Sequence, residues 1–176
     1  FMVDATGRAT LVSGVPPDKF SRTGQVWNHP HYRWKNHRAS GFAWWVERFR
    51  SALSSFDAVR VDHFLGFVRC WAIPGGARTA VRGKWLATPG RTLFSAVRRA
   101  LGAVNIIAED LGLLTPEAAA LRDEFGFPGM RVLQWGFGAD GDSCYHQPHR
   151  FIANTIAYPG THDNDTIVGW FGALQH

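Results

Sequence analysis

The sequence has little of several features that would assign it to particular classes of protein. It has two cysteines, Cys70 and Cys144, which are too few for a disulfide framework, so a reducing compartment is the expected setting. No run approaches the ~18 apolar residues of a membrane span, and no basic start followed by an apolar stretch marks a signal peptide. We therefore expect a cytoplasmic location and no membrane partner.

The chain also lacks any concentrated block of charge. Its net charge is +5 and its pI is about 9.8, which raises the question of a nucleic-acid partner. The arginines and lysines are scattered singly or in pairs, and none of them form the clustered patch or stripe that nucleic-acid binding requires. No nucleic-acid partner is expected.

Aromatic residues, by contrast, are abundant. The 176 residues include 8 Trp and 13 Phe, and 45% of the chain is hydrophobic. Disordered chains are poor in aromatics, so this composition predicts an ordered globular fold. The length corresponds to one domain of about 100–200 residues.

The apolar pattern changes along the chain. Residues 1–40 show little periodicity and predict a long ordered loop, and such loops are often functional. Helical spacing predicts helices over 41–56 and 92–101, and a third helix begins at Pro116 with Thr115 as its N-cap. Short β-branched runs predict strands at 58–62, 104–108, 130–135 and 155–158. Strands that alternate with helices predict an α/β fold with a parallel sheet.

Acidic residues stand at the ends of three predicted strands. Asp62 closes the first strand, Glu109 closes the second and Asp163 follows the fourth. The carboxyl ends of parallel strands meet on one face, which carries the active site in a β/α barrel. The three carboxylates are therefore expected to converge on one pocket. Asp110 should point away from Glu109, and we expect it to have a structural role.

Three converging carboxylates suit two chemistries. One is the binding of a hard metal ion by oxygen ligands, and the other is glycosyl transfer, which needs a carboxylate nucleophile and a carboxylic acid. Arg60 and His162 favour the second. Arg60 lies two residues before Asp62 and shares its strand face, so its guanidinium would keep that carboxylate ionised.

Two further observations bear on the choice between these chemistries. The first loop contains Phe20, Gln25 and Trp27, and aromatic and polar side chains of this kind can form a platform for sugar rings. Cys144 and the two nearby histidines, His146 and His149, fit no zinc spacing well. No metal site is expected.

Five strings, taken in order, resemble one family closely. The chain is similar to 4-α-glucanotransferases of the amylomaltase, or disproportionating enzyme, type (glycoside hydrolase family 77, within the α-amylase superfamily). The matching strings are GVPPDKFSRTGQVW at 14–27, FDAVRVDHFLGF at 56–67, IIAEDLG at 106–112, GFPGMRVLQ at 126–134 and GTHDNDT at 160–166. Together they are far more specific than any one of them.

The resemblance implies a (β/α)8 TIM barrel and a retaining double displacement without metal or organic cofactor. Asp62 would be the nucleophile, Glu109 the general acid/base with a pKa raised by burial, and Asp163 the stabiliser of the transition state. The two reacting carboxyl groups would lie about 5–5.5 Å apart. Arg60 and His162 would bind substrate beside them.

The resemblance also assigns residues outside the carboxylates. Residues 1–40 would form a lid region, with Asp18, Gln25 and Trp27 in contact with substrate, and Trp135 would be an aromatic near the acid/base. Residues 41–176 would form part of the catalytic barrel. Many members have Tyr where this chain has Lys19, so one stacking contact between the lid and a sugar ring is in doubt here.

Length is the larger departure from the family pattern. The chain corresponds to barrel strands four to seven, so it resembles a fragment, and the 176 residues alone are expected to be inactive. The implied partners are α-1,4-glucans derived from starch or glycogen, and a plant source would make the plastid the expected location. Two alternatives remain: an α-1,4-glucan hydrolase of the same superfamily, and a non-catalytic glucan-binding protein.

Overall fold

A computed structural model describes residues 1–18, 21–112, 115–138 and 143–174 of the chain. Lys19 and Phe20, named above for the lid, lie outside the described residues. The strands are β1 Leu11–Val15, β2 Gln25–Pro30, β3 Val59–Val61, β4 Arg69–Pro74, β5 Lys84–Ala87, β6 Ile106–Ala108, β7 Gly129–Val132 and β8 Thr155–Tyr158. The α-helices are α1 Trp34–Ala39, α2 Ala43–Leu53, α3 Gly90–Leu101, α4 Pro116–Glu124 and α5 Ile167–Ala173.

The chain folds into two compact units. The first comprises Phe1–Asp57 and Leu65–Val104, and the second comprises Ala58–Phe64 and Asn105–His176. These units are defined by packing, whereas the sequence-based division into a lid region (1–40) and a catalytic part (41–176) is defined by roles. That functional division stays a prediction.

The first unit is built on an antiparallel sheet in the order β2-β1-β4-β5. The prediction of a long loop over 1–40 is therefore wrong, since this segment contains β1, β2 and α1. The physical reason is that β1 is stabilised by strands remote in sequence: Val12 pairs with Ile73 of β4. Single-sequence periodicity does not reveal such long-range pairing. It also missed β4 and β5.

Two helices cover the first unit's core, close to where the helical spacing predicts them. Helix α2 buries Trp45, Val46 and Phe49, and helix α3 buries a stripe that includes Phe94. The rings of Phe49 and Phe94 lie 6.3 Å apart. Each helix thus buries one apolar face, as its periodicity requires.

The second unit contains the four strands predicted to be parallel. β3 pairs with β6 and β7 pairs with β8, both in parallel register. Between the two pairs, the Ala108 amide donates to the Pro128 carbonyl at 2.9 Å. The described residues therefore show an α/β arrangement, with two parallel strand pairs in the second unit and an antiparallel sheet in the first. β7 ends at Val132, and the residues predicted to continue it form a 3-10 segment, Leu133–Phe137.

Helix α4 begins as predicted. The Thr115 hydroxyl accepts a hydrogen bond from the Ala118 amide at 3.3 Å, and Pro116 occupies the first helical position. The helices in the described ranges are short, and none of them combines the length and the apolar character needed to cross a bilayer.

Candidate functional site

The end of β3 presents a paired carboxylate to solvent. Arg60 lies within β3 and Asp62 follows it directly, so the period-2 geometry of a strand places both side chains on one face. Arg60 Nη2 lies 2.9 Å from Asp62 Oδ1, which confirms the predicted contact. The Asp62 side chain is 74% exposed. Its carboxylate is therefore oriented by a cation and still open to an incoming molecule.

Glu109, which follows β6, is held by main-chain donors on both of its carboxyl oxygens. The His63 amide donates to Oε2 at 2.6 Å and the Leu111 amide donates to Oε1 at 3.1 Å. The Glu109 amide also donates to the Val61 carbonyl at 2.9 Å. Because Asp62 lies between Val61 and His63, these bonds bring Asp62 and Glu109 to adjoining strand ends.

The two carboxyl groups have contrasting environments. Burial raises the pKa of Glu109, and the negative charge of Asp62 raises it further. The hydrogen bonds from His63 and Leu111 and the charge of Arg60 act in the opposite direction, but the pKa remains above its ordinary value. An elevated pKa keeps a carboxyl group protonated to higher pH, as a general acid requires.

His63 is a component that sequence reasoning missed. Its φ of 47° lies in the left-handed region, which a residue with a Cβ seldom adopts. This turn aims the His63 amide at Glu109. Burial lowers the pKa of the His63 imidazole, although the charge of Asp62 opposes that shift. Nothing in the sequence marks a main-chain donor, so no sequence signal could have identified it.

The loop after β8 is fixed by its own side chains. Asn164 Oδ1 accepts from the Thr161 amide at 2.9 Å and from the Thr161 hydroxyl at 3.0 Å. The Asp163 amide donates to the same hydroxyl at 3.2 Å. His162 Nε2 lies 3.5 Å from Asp163 Oδ2, and both side chains are exposed. The loop therefore presents His162 and Asp163 together.

A cavity links this loop to the end of β3. It has a volume of about 220 Å³ and is lined by Arg60, Met130, Tyr158, Thr161 and His162. Two of these lining residues contact carboxylates: Arg60 pairs with Asp62, and His162 lies 3.5 Å from Asp163. The cavity lining thus combines Arg60 of β3 with residues at and after the end of β8, but Asp62, Glu109 and Asp163 are not among its lining residues, so the convergence of the three carboxylates on one pocket stays a prediction.

Trp135 lies in the 3-10 segment that follows β7. Its ring packs edge-on against His146, with centroids 5.1 Å apart. His146 is buried and its Nδ1 accepts from the Val132 amide at 3.1 Å. Trp135 therefore belongs to the same unit as the carboxylates, and its contact with substrate stays a prediction.

The predicted lid residues belong to the first unit. Asp18 is exposed, and its Oδ1 accepts from the Ser21 amide at 2.8 Å. Gln25 and Trp27 lie on one face of β2, where Trp27 Nε1 donates to Gln25 Oε1 at 3.1 Å. This bond fixes the indole relative to the amide. Their role beside the carboxylates stays a prediction.

Asp110 points away from Glu109, as expected from the strand geometry. Its side chain has no exposed surface and forms ion pairs with Arg122 and Arg131. Its Oδ1 also accepts from the Met130 amide at 2.7 Å. The predicted structural role of Asp110 is consistent with these contacts.

Metal-ligand geometry was the other possibility raised by the carboxylates. Within the described ranges, no group of three or more His, Cys, Asp or Glu side chains is arranged to hold a metal ion. His146 contacts the Val132 amide and the Trp135 ring.

Comparison with known proteins gives one consistent match. The family model for glycoside hydrolase family 77, described as 4-alpha-glucanotransferase, matches residues 1–176. A 4-alpha-glucanotransferase of Streptococcus pneumoniae is 48% identical over 171 residues, which are 97% of this chain and 34% of that protein. A chloroplastic/amyloplastic 4-alpha-glucanotransferase of Solanum tuberosum is 48% identical over 174 residues, or 99% of this chain and 30% of that protein.

Solved structures agree with these relatives. The amylomaltase from Streptococcus agalactiae in complex with acarbose superposes with a TM-score of 0.92 at 42% identity, covering 99% of this chain and 35% of that one. An amylomaltase from Corynebacterium glutamicum shares the fold, with a TM-score of 0.79 at 23% identity over 94% of this chain and 23% of that one. The chain spans about a third of the length of the curated relatives it matches. The chain belongs to glycoside hydrolase family 77, the family of 4-alpha-glucanotransferases.

Proposed function

We propose that the polypeptide carrying this chain is a 4-α-glucanotransferase that moves segments of α-1,4-glucans to the 4-hydroxyl of an acceptor glucan or glucose. The observation that carries the proposal is the contrast between two neighbouring carboxyl groups. Asp62 is exposed and paired with Arg60, whereas Glu109 is half-buried with a raised pKa. Such a pair supplies the nucleophile and the acid of a retaining glycosyl transfer.

The first half of the reaction makes a covalent intermediate. An Asp62 oxygen attacks the anomeric carbon of the donor while the bond from that carbon to the glycosidic oxygen breaks. Glu109 gives its proton to the departing oxygen, so the leaving glucan departs with a neutral 4-hydroxyl. The glycosyl group is then an ester of Asp62. Arg60 holds the attacking carboxylate in its orientation at 2.9 Å.

In the second half of the reaction Glu109 acts as a base and Asp62 as the leaving group. The 4-hydroxyl of an acceptor attacks the same carbon, its proton passes to Glu109, and the ester bond to Asp62 breaks. Two inversions at one carbon retain its configuration. Asp163 and His162, on the loop fixed by Asn164, are proposed to bind sugar hydroxyls and to stabilise the transition state.

Transfer requires that an acceptor sugar reaches the intermediate before water does. We assign this role to the lid region, with Asp18, Gln25 and Trp27 as contacts for the acceptor and Trp135 as an aromatic wall near Glu109. Exclusion of water by a closed groove would favour a sugar hydroxyl as the attacking group. The relatives' described activity, 4-alpha-glucanotransferase, supports transfer over hydrolysis.

The proposal also includes the barrel fold and the cellular location. We infer that β3, β6, β7 and β8 correspond to strands four to seven of a (β/α)8 barrel, which the amylomaltase neighbours support. The 176 residues alone are expected to be inactive. The cytoplasm is the proposed location, or the plastid in a plant, as in the chloroplastic/amyloplastic potato relative.

The test is the product pattern of the full polypeptide with maltotriose. A transferase yields glucose together with oligomers longer than maltotriose, whereas a hydrolase yields glucose and maltose. Asp62→Asn should abolish both products, since removal of the nucleophile prevents the first step. Binding of maltotriose without any turnover by the unaltered protein would support a glucan-binding protein and overturn the proposal.

A further inference from the structure

We propose that Asp110 is a positioning residue for Glu109: its buried carboxylate fixes the backbone that aims the general acid/base. The inference rests on the proposed function, because it assumes that Glu109 transfers the proton. It assigns a role in the reaction to a residue that does not face the cavity. Its basis is a set of contacts on both sides of the three-residue segment 109–111.

On one side, Asp110 ties this segment to β7 and α4. Its Oδ1 accepts from the Met130 amide at 2.7 Å, and Arg131 Nη1 lies 3.5 Å from the same oxygen. Its Oδ2 is bound by Arg122 of α4. A Cβ added to Gly129 would run into the Asp110 carboxylate, so glycine at 129 gives this carboxylate the space it occupies.

On the other side, the same segment carries the groups that orient Glu109. The Leu111 amide, which belongs to the peptide bond following Asp110, donates to Glu109 Oε1 at 3.1 Å. The Glu109 amide donates to the Val61 carbonyl of β3, and its carbonyl accepts from the Phe64 amide just after β3, both at 2.9 Å. Any shift of Asp110 therefore moves both the Glu109 backbone and one of the donors to its carboxylate.

The charges around Asp110 explain why such a shift would be large. Asp110 and both arginines are nearly buried, and Arg122 also bonds to Asp123, whose side chain is 60% exposed. Neutralising Asp110 would remove the carboxylate paired with the buried Arg131 guanidinium and leave Arg122 with Asp123 alone. Buried charges without partners force local rearrangement, and here the rearrangement begins at the residue next to Glu109.

A misplaced acid has a specific kinetic signature. Maltotriose needs protonation of its leaving oxygen, whereas α-maltosyl fluoride releases fluoride without help from a carboxylic acid. A variant that merely has a weakened fold loses activity toward both donors alike. A variant with a displaced acid loses the first step with maltotriose and keeps the first step with the fluoride.

The experiment measures single-turnover rates with both donors in the full polypeptide, per active site. Asp110→Asn is expected to lower the rate with maltotriose by about 100-fold, the scale of a ~1 Å misplacement, while the rate of fluoride release stays unchanged. Asp123→Asn is the matched control, because it removes the other carboxylate on Arg122 without touching segment 109–111. It should leave both rates unchanged.

Each outcome has a defined meaning. Equal losses with both donors, or no loss with either, overturn the role of Asp110. If Asp110→Asn does not fold, Arg122→Lys keeps the compensating charge and should show the same donor selectivity to a smaller degree; equal losses in that variant also overturn the role. Glu109→Gln tests the proposed function separately from the role of Asp110. If this variant loses the two rates equally, Glu109 is not the acid and the proposed function fails as well.

Discussion

Replacement of Arg60 by methionine separates the structural from the functional contribution of the pair at the end of β3. Arg60 Nη2 lies 2.9 Å from Asp62, and Arg60 Nε lies 3.2 Å from Met130 Sδ. Methionine keeps much of the apolar stem and removes the guanidinium. The Asp62 side chain stays exposed, so water can solvate its carboxylate after the change.

The expected loss of stability is small. With 32% and 74% of the two side chains exposed, this is a surface ion pair, and such pairs contribute about 0.2–1 kcal/mol. The loss of activity should be much larger. Without the guanidinium, the Asp62 carboxylate samples orientations that are wrong for attack, and loss of alignment of that kind costs about 100-fold in rate.

The assay combines urea denaturation with initial rates of glucose release from maltotriose. Arg50→Met is the matched control, because Arg50 forms an exposed ion pair with Glu47 on α2 and has no proposed role in the reaction. Both variants should lose a similar, small amount of stability, and only Arg60→Met should lose activity. The reasoning is refuted if Arg60→Met retains full activity, or if its activity falls only in proportion to its folded fraction.

Two further predictions concern the acid and the loop after β8. Because burial raises the pKa of Glu109, the alkaline fall of kcat/KM should have its midpoint above the ordinary pKa range of a glutamate carboxyl. A pH profile of kcat/KM measures this midpoint. A midpoint at or below that range contradicts the prediction. Asn164→Ala removes the acceptor of two hydrogen bonds from Thr161. It should lower kcat clearly while changing the free energy of unfolding little. Asn164→Asp keeps an acceptor and should retain more activity, and equal losses in the two variants would count against the positioning role.

The parts of the site that the sequence predicted are those that depend on local periodicity. Asp62 and Glu109 stand where short β-branched strands end, and parallel pairing of β3 with β6 brings those ends together. The contact of Arg60 with Asp62 follows from the two-residue repeat of a strand. The N-cap at Thr115 follows equally from residue type and position.

The remaining parts depend on contacts between remote segments or on the main chain. Strand β1 is paired with β4, and its short alternating run gives no indication of that partner. The left-handed conformation of His63 depends on its surroundings, since a residue with a Cβ adopts it uncommonly and its residue type alone does not predict it. Likewise, the Leu111 amide is a donor that every non-proline residue has, so only the fold shows which amide meets Glu109.

The central claim is that Asp62 becomes covalently glycosylated, and peptide mass mapping tests it most directly. Glu109→Gln of the full polypeptide is incubated with α-maltosyl fluoride, which can form the intermediate but cannot readily turn it over without a general base. After an acid quench and digestion, the account predicts one maltosyl group on the peptide containing Asp62, and none in the companion variant that also carries Asp62→Asn. A glycosyl group on another residue, or fluoride release without any covalent adduct and with inverted product, would contradict it.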